Sequence, residues 1–255
     1  MIFCVDISNN RIEFAAMEGT KAVFVARLST DKARSADEYG VLIDLISRRH
    51  GVIPPEADGS IIGSVVPELT PVLWRAMKDI TGRRTLVVGP GVKTGLNIRI
   101  DTPSELASDF VTTAVAAIAA YPLPCVTVNM DTALAIGVID KNGCYIGGAI
   151  AAGVMASQIA LSRGAAKLHS VTPEAPGHVI GKNTVDSMKS GLIYGSAAML
   201  DGLLTGIDEE LGDTATVVAT GQWAEQVLPH CRRAGLILDK ELSLRGLAMI
   251  YEKNR

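Results

Sequence analysis

Long hydrophobic runs and a surplus of basic residues are both missing from this sequence. No stretch approaches the roughly 18 apolar residues of a membrane span, and Asp6 interrupts the first apolar segment, which argues against a signal peptide. The formal charge is −3, and no cluster of Lys and Arg alternates with aromatic side chains. We therefore expect a cytoplasmic protein that binds neither a membrane nor nucleic acid.

Cysteine and histidine are also scarce, and neither shows metal-binding spacing. The four cysteines include no CxxC pair, and the four histidines form no HxxxH or HExxH array. Single buried thiols usually serve as small core residues. We therefore predict reduced core thiols, and we disfavour both a disulfide framework and a metal held by side chains alone.

A weak internal repeat is the most informative feature that is present. Residues 2–28 read as a strand ending at Asp6, a polar turn, a second strand, a tight turn and a third strand. Residues 125–150 repeat this plan, with Asn129 in the place of Asp6. The spacing of about 120 residues is too long for a solenoid. It predicts two homologous lobes that face each other across a cleft.

Strands alternate with helices along the chain, and this alternation predicts an α/β fold. Residues 35–51 carry apolar side chains at helical spacing. Asn183 is expected to cap a second long helix that runs to about Leu211. The chain has 255 residues, of which 48% are hydrophobic, so it can bury two cores. We place the two lobes at residues 1–118 and 119–255.

A third helix is predicted to carry the carboxylate of Asp109. Thr102, Pro103 and Glu105 form a capping-box pattern with proline at the first helical position. A helix is therefore expected to begin there, with Asp109 two turns into it. From the residues alone, a solvated helix carboxylate is the favoured interpretation of Asp109.

Small residues mark one stripe of the helix that follows Asn183. Glycines on such a stripe permit the close approach of another helix. That helix could belong to the same chain or to the other subunit of a dimer, and the sequence favours neither. The glycines are Gly191, Gly195, Gly202 and Gly206.

The repeated arrangement of strand, polar turn and strand suits a nucleotide triphosphate. Backbone N–H groups in tight turns bind phosphate oxygens, and a carboxylate at a strand end can hold the water shell of Mg²⁺. A later strand delivers Thr220 and Gly221 into a further turn. By itself the pattern is weak support, because β-hairpin repeats occur in many unrelated folds.

Six short motifs are spread along nearly the whole chain. They are DISNNRI (6–12), GVKTGL (91–96), NMDTA (129–133), YIGGAIAAG (145–153), IGKNT (180–184) and LRGLAMIYEKN (244–254). These motifs resemble those of the type III pantothenate kinases, in the acetate and sugar kinase, chaperone and actin superfamily. The resemblance implies two duplicated ribonuclease H-like lobes of the actin-like ATPase type. It also implies ATP with Mg²⁺, a monovalent cation (K⁺ or NH₄⁺), pantothenate or a similar small substrate, and a homodimer.

The same resemblance implies roles for individual residues. Asp109 becomes the general base that takes the proton of the pantothenate hydroxyl during phosphoryl transfer. Asp6 would orient Mg²⁺, with Asn129 and Asp131 as further candidate metal ligands. The nucleotide and its phosphates would contact Asp6, Asn9, Asn10, Asp131, Thr132, Thr220 and Gly221. The substrate would contact Gly91, Lys93, Thr94, Gly95 and Phe110, and Thr184 would reach it across the dimer interface.

This sequence departs from the family pattern mainly in the two phosphate-binding turns. Ser8 and Asn10 stand where the first turn of the family has Gly and Thr. Asn129 replaces the Asp beside the monovalent cation, and Asp131 replaces a Gly of the second turn. Phe110 replaces the Arg that follows the catalytic Asp, which removes an anchor for a carboxylate or hydroxyl group.

The substitution with the largest expected consequence is Asp131. A carboxylate about 4 Å from a phosphate charge costs on the order of 4 kcal/mol at an effective dielectric constant near 20, which is roughly a thousandfold in affinity. The side chain could avoid this by turning into its loop, as Asp commonly does. Alternatively, it could bind Mg²⁺ in place of the carboxylate missing at residue 129.

Three functions remain open from the sequence. The first is a working pantothenate kinase, which the resemblance favours. The second is a catalytically impaired homologue that serves as a ligand-binding or regulatory dimer, which the altered turns favour. The third is a kinase for another small alcohol, because Phe110 would suit a less polar acceptor.

Overall fold

The computed structural model describes residues 1–164 and 168–255, which form two compact units. Unit 1 is Met1–Ala120 together with Glu241–Arg255, and unit 2 is Tyr121–Lys240. The lobe boundaries expected from the repeat stay a prediction. The compact units depart from those boundaries at the carboxyl end, because the last helix packs in unit 1.

The two units contain both strands and helices, as the α/β prediction requires. None of the helices in the described ranges is long and apolar enough to cross a membrane. The strands are β1 (Ile2–Ile7), β2 (Arg11–Glu18), β3 (Lys21–Ser29), β4 (Ser60–Ser64), β5 (Thr85–Val87), β6 (Asn97–Ile98), β7 (Cys125–Met130), β8 (Ala133–Ile139), β9 (Cys144–Ala152), β10 (Thr216–Thr220) and β11 (Ile237–Leu238). The α-helices are α1 (Ala36–Arg49), α2 (Thr70–Thr81), α3 (Ser108–Ala120), α4 (Val154–Gly164), α5 (Thr184–Leu211), α6 (Ala224–Val227) and α7 (Leu242–Glu252).

The sheet of unit 1 has the strand order β3-β2-β1-β4-β5. β1 is antiparallel to β2 and parallel to β4. Successive side chains of a strand point to opposite faces. Phe3 and Val5 therefore pack on the face that α1 and α2 cover, whereas Cys4 packs on the face that α3 and α7 cover. Asp6 shares the face of Cys4, so its carboxylate is directed toward α3 and α7.

The sheet of unit 2 repeats this topology. Within the unit the order is β9-β8-β7-β10-β11, and β7 is antiparallel to β8 and parallel to β10. Asp6 pairs with Gly63 of β4, and Asn129 pairs with Thr220 of β10, each in the fifth position of its central strand. The duplication predicted from the sequence is thus confirmed at the level of strand order and register.

Two helices begin at side-chain caps, and the Asn183 cap of α5 is the one predicted from the sequence. Ser35 and Glu38 form a reciprocal capping box at the start of α1. Asn183 Oδ1 accepts a hydrogen bond from the main-chain N–H of Asp186 at 2.9 Å, and α5 ends at Leu211 as expected. Both helices are specified locally, because each cap satisfies a backbone N–H that lacks a partner within the helix.

The helix start predicted at Thr102 is wrong. The Thr102 side chain makes no capping hydrogen bond, and Pro103–Glu105 forms only a short 3₁₀ turn. Leu106 then adopts an extended backbone (φ −65°, ψ 116°), which interrupts any continuous helix. As a result α3 begins at Ser108, and Asp109 lies in its first turn rather than two turns in.

All four cysteines are free thiols, as predicted. Burial raises the pKa of the Cys125 thiol to about 12. Burial also raises the pKa of Cys231 to about 11, and the nearby Asp201 carboxylate adds to this effect. These thiols therefore stay protonated at neutral pH, which suits a packing role.

The glycine stripe of α5 does not serve close packing within the described part of the chain. A Cβ atom added at Gly191, Gly195, Gly202 or Gly206 would meet no heavy atom within 4 Å. The apolar side chains of α5 that pack on the sheet, such as Leu192 and Leu200, are different residues of the helix. Of the two interpretations, the dimer interface stays a prediction.

Candidate active site

The Asp6 carboxylate is held by a residue from the other end of the chain. Ser243 Oγ, in the first turn of α7, donates a hydrogen bond to Asp6 Oδ2 at 2.7 Å. Ser243 is buried, and Asp6 is only partly exposed. A carboxylate oxygen is the kind of ligand that Mg²⁺ prefers. The fixed carboxylate of Asp6 thus fits the role that the family resemblance implies.

Asp109 lies at the same end of the unit 1 sheet as Asp6. Ser108 Oγ donates to the main-chain carbonyl of Ser64, at the end of β4, at 3.0 Å, so the start of α3 is attached beside β1. The Phe110 N–H donates to Asp109 Oδ1 at 3.0 Å. Asp109 is half-buried, and its charge lies at the positive end of the helix dipole. Phe110 itself is buried, and its contact with a substrate stays a prediction.

The loop of the GVKTGL motif is fastened to the carboxyl terminus of the chain. Gly91 and Gly95 have φ values of 90° and 75°, which favour glycine. The Lys93 N–H donates to Asn254 Oδ1 at 3.0 Å, and Asn254 Nδ2 donates to the Lys93 carbonyl at 2.9 Å. The Lys93 side chain is exposed, and its contact with a substrate stays a prediction. Thr94 is bound within the loop, because its Oγ1 accepts from the N–H of Leu96.

In unit 2, the turn after β7 contacts the turn after β10. Gly221 has φ 96°, and a Cβ there would lie 2.6 Å from Asn129 Oδ1, so only glycine fits. The N–H of Gln222 donates to Asp131 Oδ1 at 2.8 Å. Gly153 closes the other side, because a Cβ there would lie 2.6 Å from the carbonyl of Thr132. The second phosphate turn is therefore tightly enclosed by backbone.

The structure shows which backbone group the Asp131 carboxylate turns to. Its carboxylate does turn to a backbone N–H, but that group belongs to a loop 91 residues further along the chain. A backbone N–H bound to one oxygen stabilises the negative charge where it stands. Asp131 therefore has a structural task that its family counterpart, a glycine, could not perform.

Asn129 presents a buried amide oxygen at the end of β7. Its Oδ1 has no hydrogen-bond partner among the residues described. Buried oxygens without a partner are costly, and a cation or a water molecule would relieve that cost. The oxygen thus fits the monovalent cation that the resemblance implies, which stays a prediction.

The other residues implied by the resemblance range from exposed to buried. Asn9 and Asn10 are at the tip of the turn between β1 and β2, and Thr184 is the first residue of α5. Thr132 is partly exposed, and Thr220 is buried in β10. Within unit 1 the structure brings together Asp6 and the start of α3; within unit 2 it brings together Asn129, Asp131, Thr132, Thr220 and Gly221.

Sequence reasoning missed three residues that hold these groups. Ser243, Thr112 and Asn254 carry no local signal, because each acts on a residue more than a hundred positions away. Ser243 directly precedes the closing LRGLAMIYEKN motif, and Asn254 is its last residue. The place of that motif in the family pattern was the only sequence feature that drew attention to these two residues.

Solved structures with a similar fold include sugar kinases. One is the inorganic polyphosphate/ATP-glucomannokinase from Arthrobacter sp. strain KM, with a TM-score of 0.54 at 13% identity, covering 100% of this chain and 99% of that one. Another is the ROK hexokinase from Thermus thermophilus, with a TM-score of 0.54 at 14% identity, covering 99% and 98%. The fold is therefore the two-lobed, ribonuclease H-like fold of the actin-like ATPases and sugar kinases.

Sequence comparison identifies the family within that class. The model of the type III pantothenate kinases matches residues 2–206. The type III pantothenate kinase of Geobacter sulfurreducens is 38% identical over 255 residues, covering 100% of both chains. That of Moorella thermoacetica is 36% identical over 254 residues, again covering 100% of both. The chain belongs to the type III pantothenate kinase family.

Proposed function

We propose that this protein phosphorylates pantothenate with ATP and Mg²⁺, the first step of coenzyme A synthesis. The observation that carries the proposal is the full-length match to relatives named type III pantothenate kinase, at 36 to 38% identity. Asp6, Asn9, Asp109, Thr132 and Thr184 all stand where the family pattern has them. The cytoplasmic location and the monovalent cation stay predictions.

Asp109 is the proposed general base. It would accept the proton of the primary hydroxyl of pantothenate as that oxygen bonds to the γ-phosphorus and the bond to the ADP oxygen breaks. Mg²⁺, when bound with ATP, would neutralise charge on the phosphates. Asp6 would hold that ion, while Lys93 and its loop would bind the pantothenate end.

A transfer assay tests the function directly. The wild-type protein is incubated with ATP, Mg²⁺ and pantothenate; ADP release is followed, and the product is identified by mass. Pantothenyl alcohol, which lacks the carboxylate, and a hexose serve as comparison acceptors. We expect transfer to pantothenate above both. Transfer to another alcohol but not to pantothenate would contradict the proposal and support the kinase of altered specificity.

The impaired homologue is not favoured over the enzyme. Part of its support, beside the other altered residues of the two turns, was the carboxylate of Asp131 facing a triphosphate without compensation. In the structure that carboxylate accepts a hydrogen bond from the Gln222 N–H, which stabilises its charge and directs one oxygen to that backbone group. We therefore propose that Asp131 braces the second phosphate turn against the turn after β10 and is not a relocated metal ligand.

Asp131→Asn is expected to bind ATP about tenfold more tightly than the wild type, which corresponds to about 1.4 kcal/mol. The amide oxygen of asparagine can still accept from Gln222, whereas the negative charge near the phosphates is gone. Calorimetric titration with MgATP measures the effect. Asp140→Asn is the matched control, since Asp140 also accepts main-chain N–H bonds, but in the turn between β8 and β9. Weaker binding by the Asp131 variant alone would instead identify a metal ligand.

We also propose that the chain forms a homodimer through the open glycine stripe of α5. A groove of about 380 Å³ lies between this stripe and β9, lined by Gly202, Gly206 and Ile146 among others. Ile150 of β9 is 71% exposed, which is unusual for an isoleucine. Sedimentation of the wild type should give twice the chain mass of 26.8 kDa, and Gly206→Arg should halve it. A wild type that sediments as a monomer would refute the dimer.

A further inference from the structure

A chain of hydroxyl groups connects α3 to the Asp6 carboxylate within unit 1. Ser243 Oγ lies 2.7 Å from Asp6 Oδ2, and 3.1 Å from Thr112 Oγ1 on α3. Thr112 is 1% exposed and Ser243 is 8% exposed. Water therefore competes little for these hydrogen bonds, and their geometry is set by the packing of α7 on α3.

The two hydrogen bonds that join Thr112, Ser243 and Asp6 can have only one order of donors and acceptors. Each hydroxyl carries one hydrogen, and an ionised carboxylate can only accept. Ser243 must therefore donate to Asp6, and the contact with Thr112 requires Thr112 to donate to Ser243. The carbonyl of Asp109 is a second acceptor within reach of Thr112, at 3.1 Å, so the single hydroxyl hydrogen of Thr112 is shared between that carbonyl and Ser243 Oγ.

A glycine makes this approach possible. Gly246 lies one turn after Ser243 on α7, and a Cβ there would lie 1.9 Å from the carbonyl oxygen of Thr112. The backbones of α7 and α3 are thus in direct contact at this point. Ser243 is held at a fixed distance from the end of β1 by that contact.

We propose that Ser243 is a positioning residue for the nucleotide-bound metal, because it fixes the orientation of the Asp6 carboxylate. This rests on the proposed function only insofar as Asp6 holds the metal that accompanies ATP. Partners that orient a ligating carboxylate commonly contribute 10-fold to 100-fold to metal affinity. Thr112 contributes indirectly, since it keeps the Ser243 hydroxyl turned toward Asp6.

The test measures metal binding separately from turnover. Mn²⁺ replaces Mg²⁺, and its free concentration is followed by electron paramagnetic resonance in the presence of a nonhydrolysable ATP analogue. Ser243→Ala is expected to weaken Mn²⁺ binding to the protein–nucleotide complex about tenfold. Ser243→Thr, which keeps the hydroxyl, should stay within about twofold of the wild type. Ser47→Ala is the matched control, because Ser47 is a fully buried serine of unit 1 whose hydroxyl donates to the carbonyl of Ile43 within α1.

If thermal unfolding shows that the Ser243→Ala protein is poorly folded, a second variant provides the test. Thr112→Val keeps the shape of the side chain and removes the donor to Ser243, and a loss of about threefold in Mn²⁺ affinity is expected. Unchanged Mn²⁺ affinity in Ser243→Ala, or in Asp6→Asn, would overturn the inference, as would a wild type that binds no Mn²⁺ with the nucleotide. Normal Mn²⁺ binding without transfer to pantothenate would instead refute the proposed function and leave the role of Ser243 intact.

Discussion

Asp109→Asn should lower the turnover number about a thousandfold and leave the affinity for ATP nearly unchanged. General bases contribute roughly 10² to 10⁴ in rate, and asparagine keeps the shape but cannot accept the proton. The start of α3 should persist, because the amide oxygen of asparagine can still accept from the Phe110 N–H as Asp109 Oδ1 does. Steady-state kinetics with pantothenate, combined with ATP titration by calorimetry, separates the two effects.

The control for this experiment is a carboxylate with no expected part in the chemistry. Asp79 lies on α2, is 57% exposed and pairs only loosely with Arg75 at 3.5 Å. Asp79→Asn should therefore retain the wild-type rate. An Asp109→Asn variant that also retained it would mean that another group accepts the proton. A variant that lost ATP binding as well would mean that Asp109 is needed to build the site.

Gly246→Ala should destabilise unit 1 by about 3 kcal/mol or more. The added Cβ would lie 1.9 Å from the carbonyl oxygen of Thr112 and 2.6 Å from its carbonyl carbon. Both atoms belong to the backbone of α3, so they cannot move without shifting the helix. α7 would have to separate from α3, which would expose buried side chains such as Leu247 and Val115. Urea unfolding, followed by circular dichroism, measures the loss.

Gly40→Ala provides the matched control for that substitution. Gly40 lies inside α1 of unit 1, where the nearest atom to an added Cβ is the end of the Ile80 side chain at 3.3 Å. Alanine has the higher helix propensity by about 0.8 to 1 kcal/mol, and a side-chain end can shift, so this variant should stay close to the wild type in stability. A Gly246→Ala protein as stable as the wild type would show that α7 and α3 are not in backbone contact. The role of Ser243 would then lose its structural basis.

Features that depend on neighbouring residues could be predicted from the sequence. The two strand and turn repeats placed Asp6 and Asn129 in equivalent positions, and the paired registers agree. The cap of α5 at Asn183 was predictable because the acceptor and the N–H that it binds are three residues apart. A local pattern can still mispredict where a helix begins, as at Thr102, when the backbone a few residues later leaves the helical conformation. There the extended Leu106 delays the helix until Ser108.

The family and its fold were also accessible without coordinates. Short motifs such as GVKTGL and IGKNT, in a fixed order, are enough to indicate the type III pantothenate kinases, and the comparisons agree. The roles carried over to single residues stay predictions, since Ser8, Asn129 and Asp131 differ from the pattern. Motifs indicate the family and its fold, whereas the chemistry depends on which functional groups lie within bonding distance of one another.

The sequence by itself determined the alternation of strands and helices, the duplicated plan and the cap of α5 at Asn183. Only the tertiary structure decided what holds the charged groups. Asp131 binds an N–H 91 residues away, and Asp6 binds a hydroxyl 237 residues away. Hydrogen bonds act over about 3 Å whatever the separation along the chain. Partners of this kind become visible only when packing, here the contact of Gly246 with Thr112, has brought distant segments together.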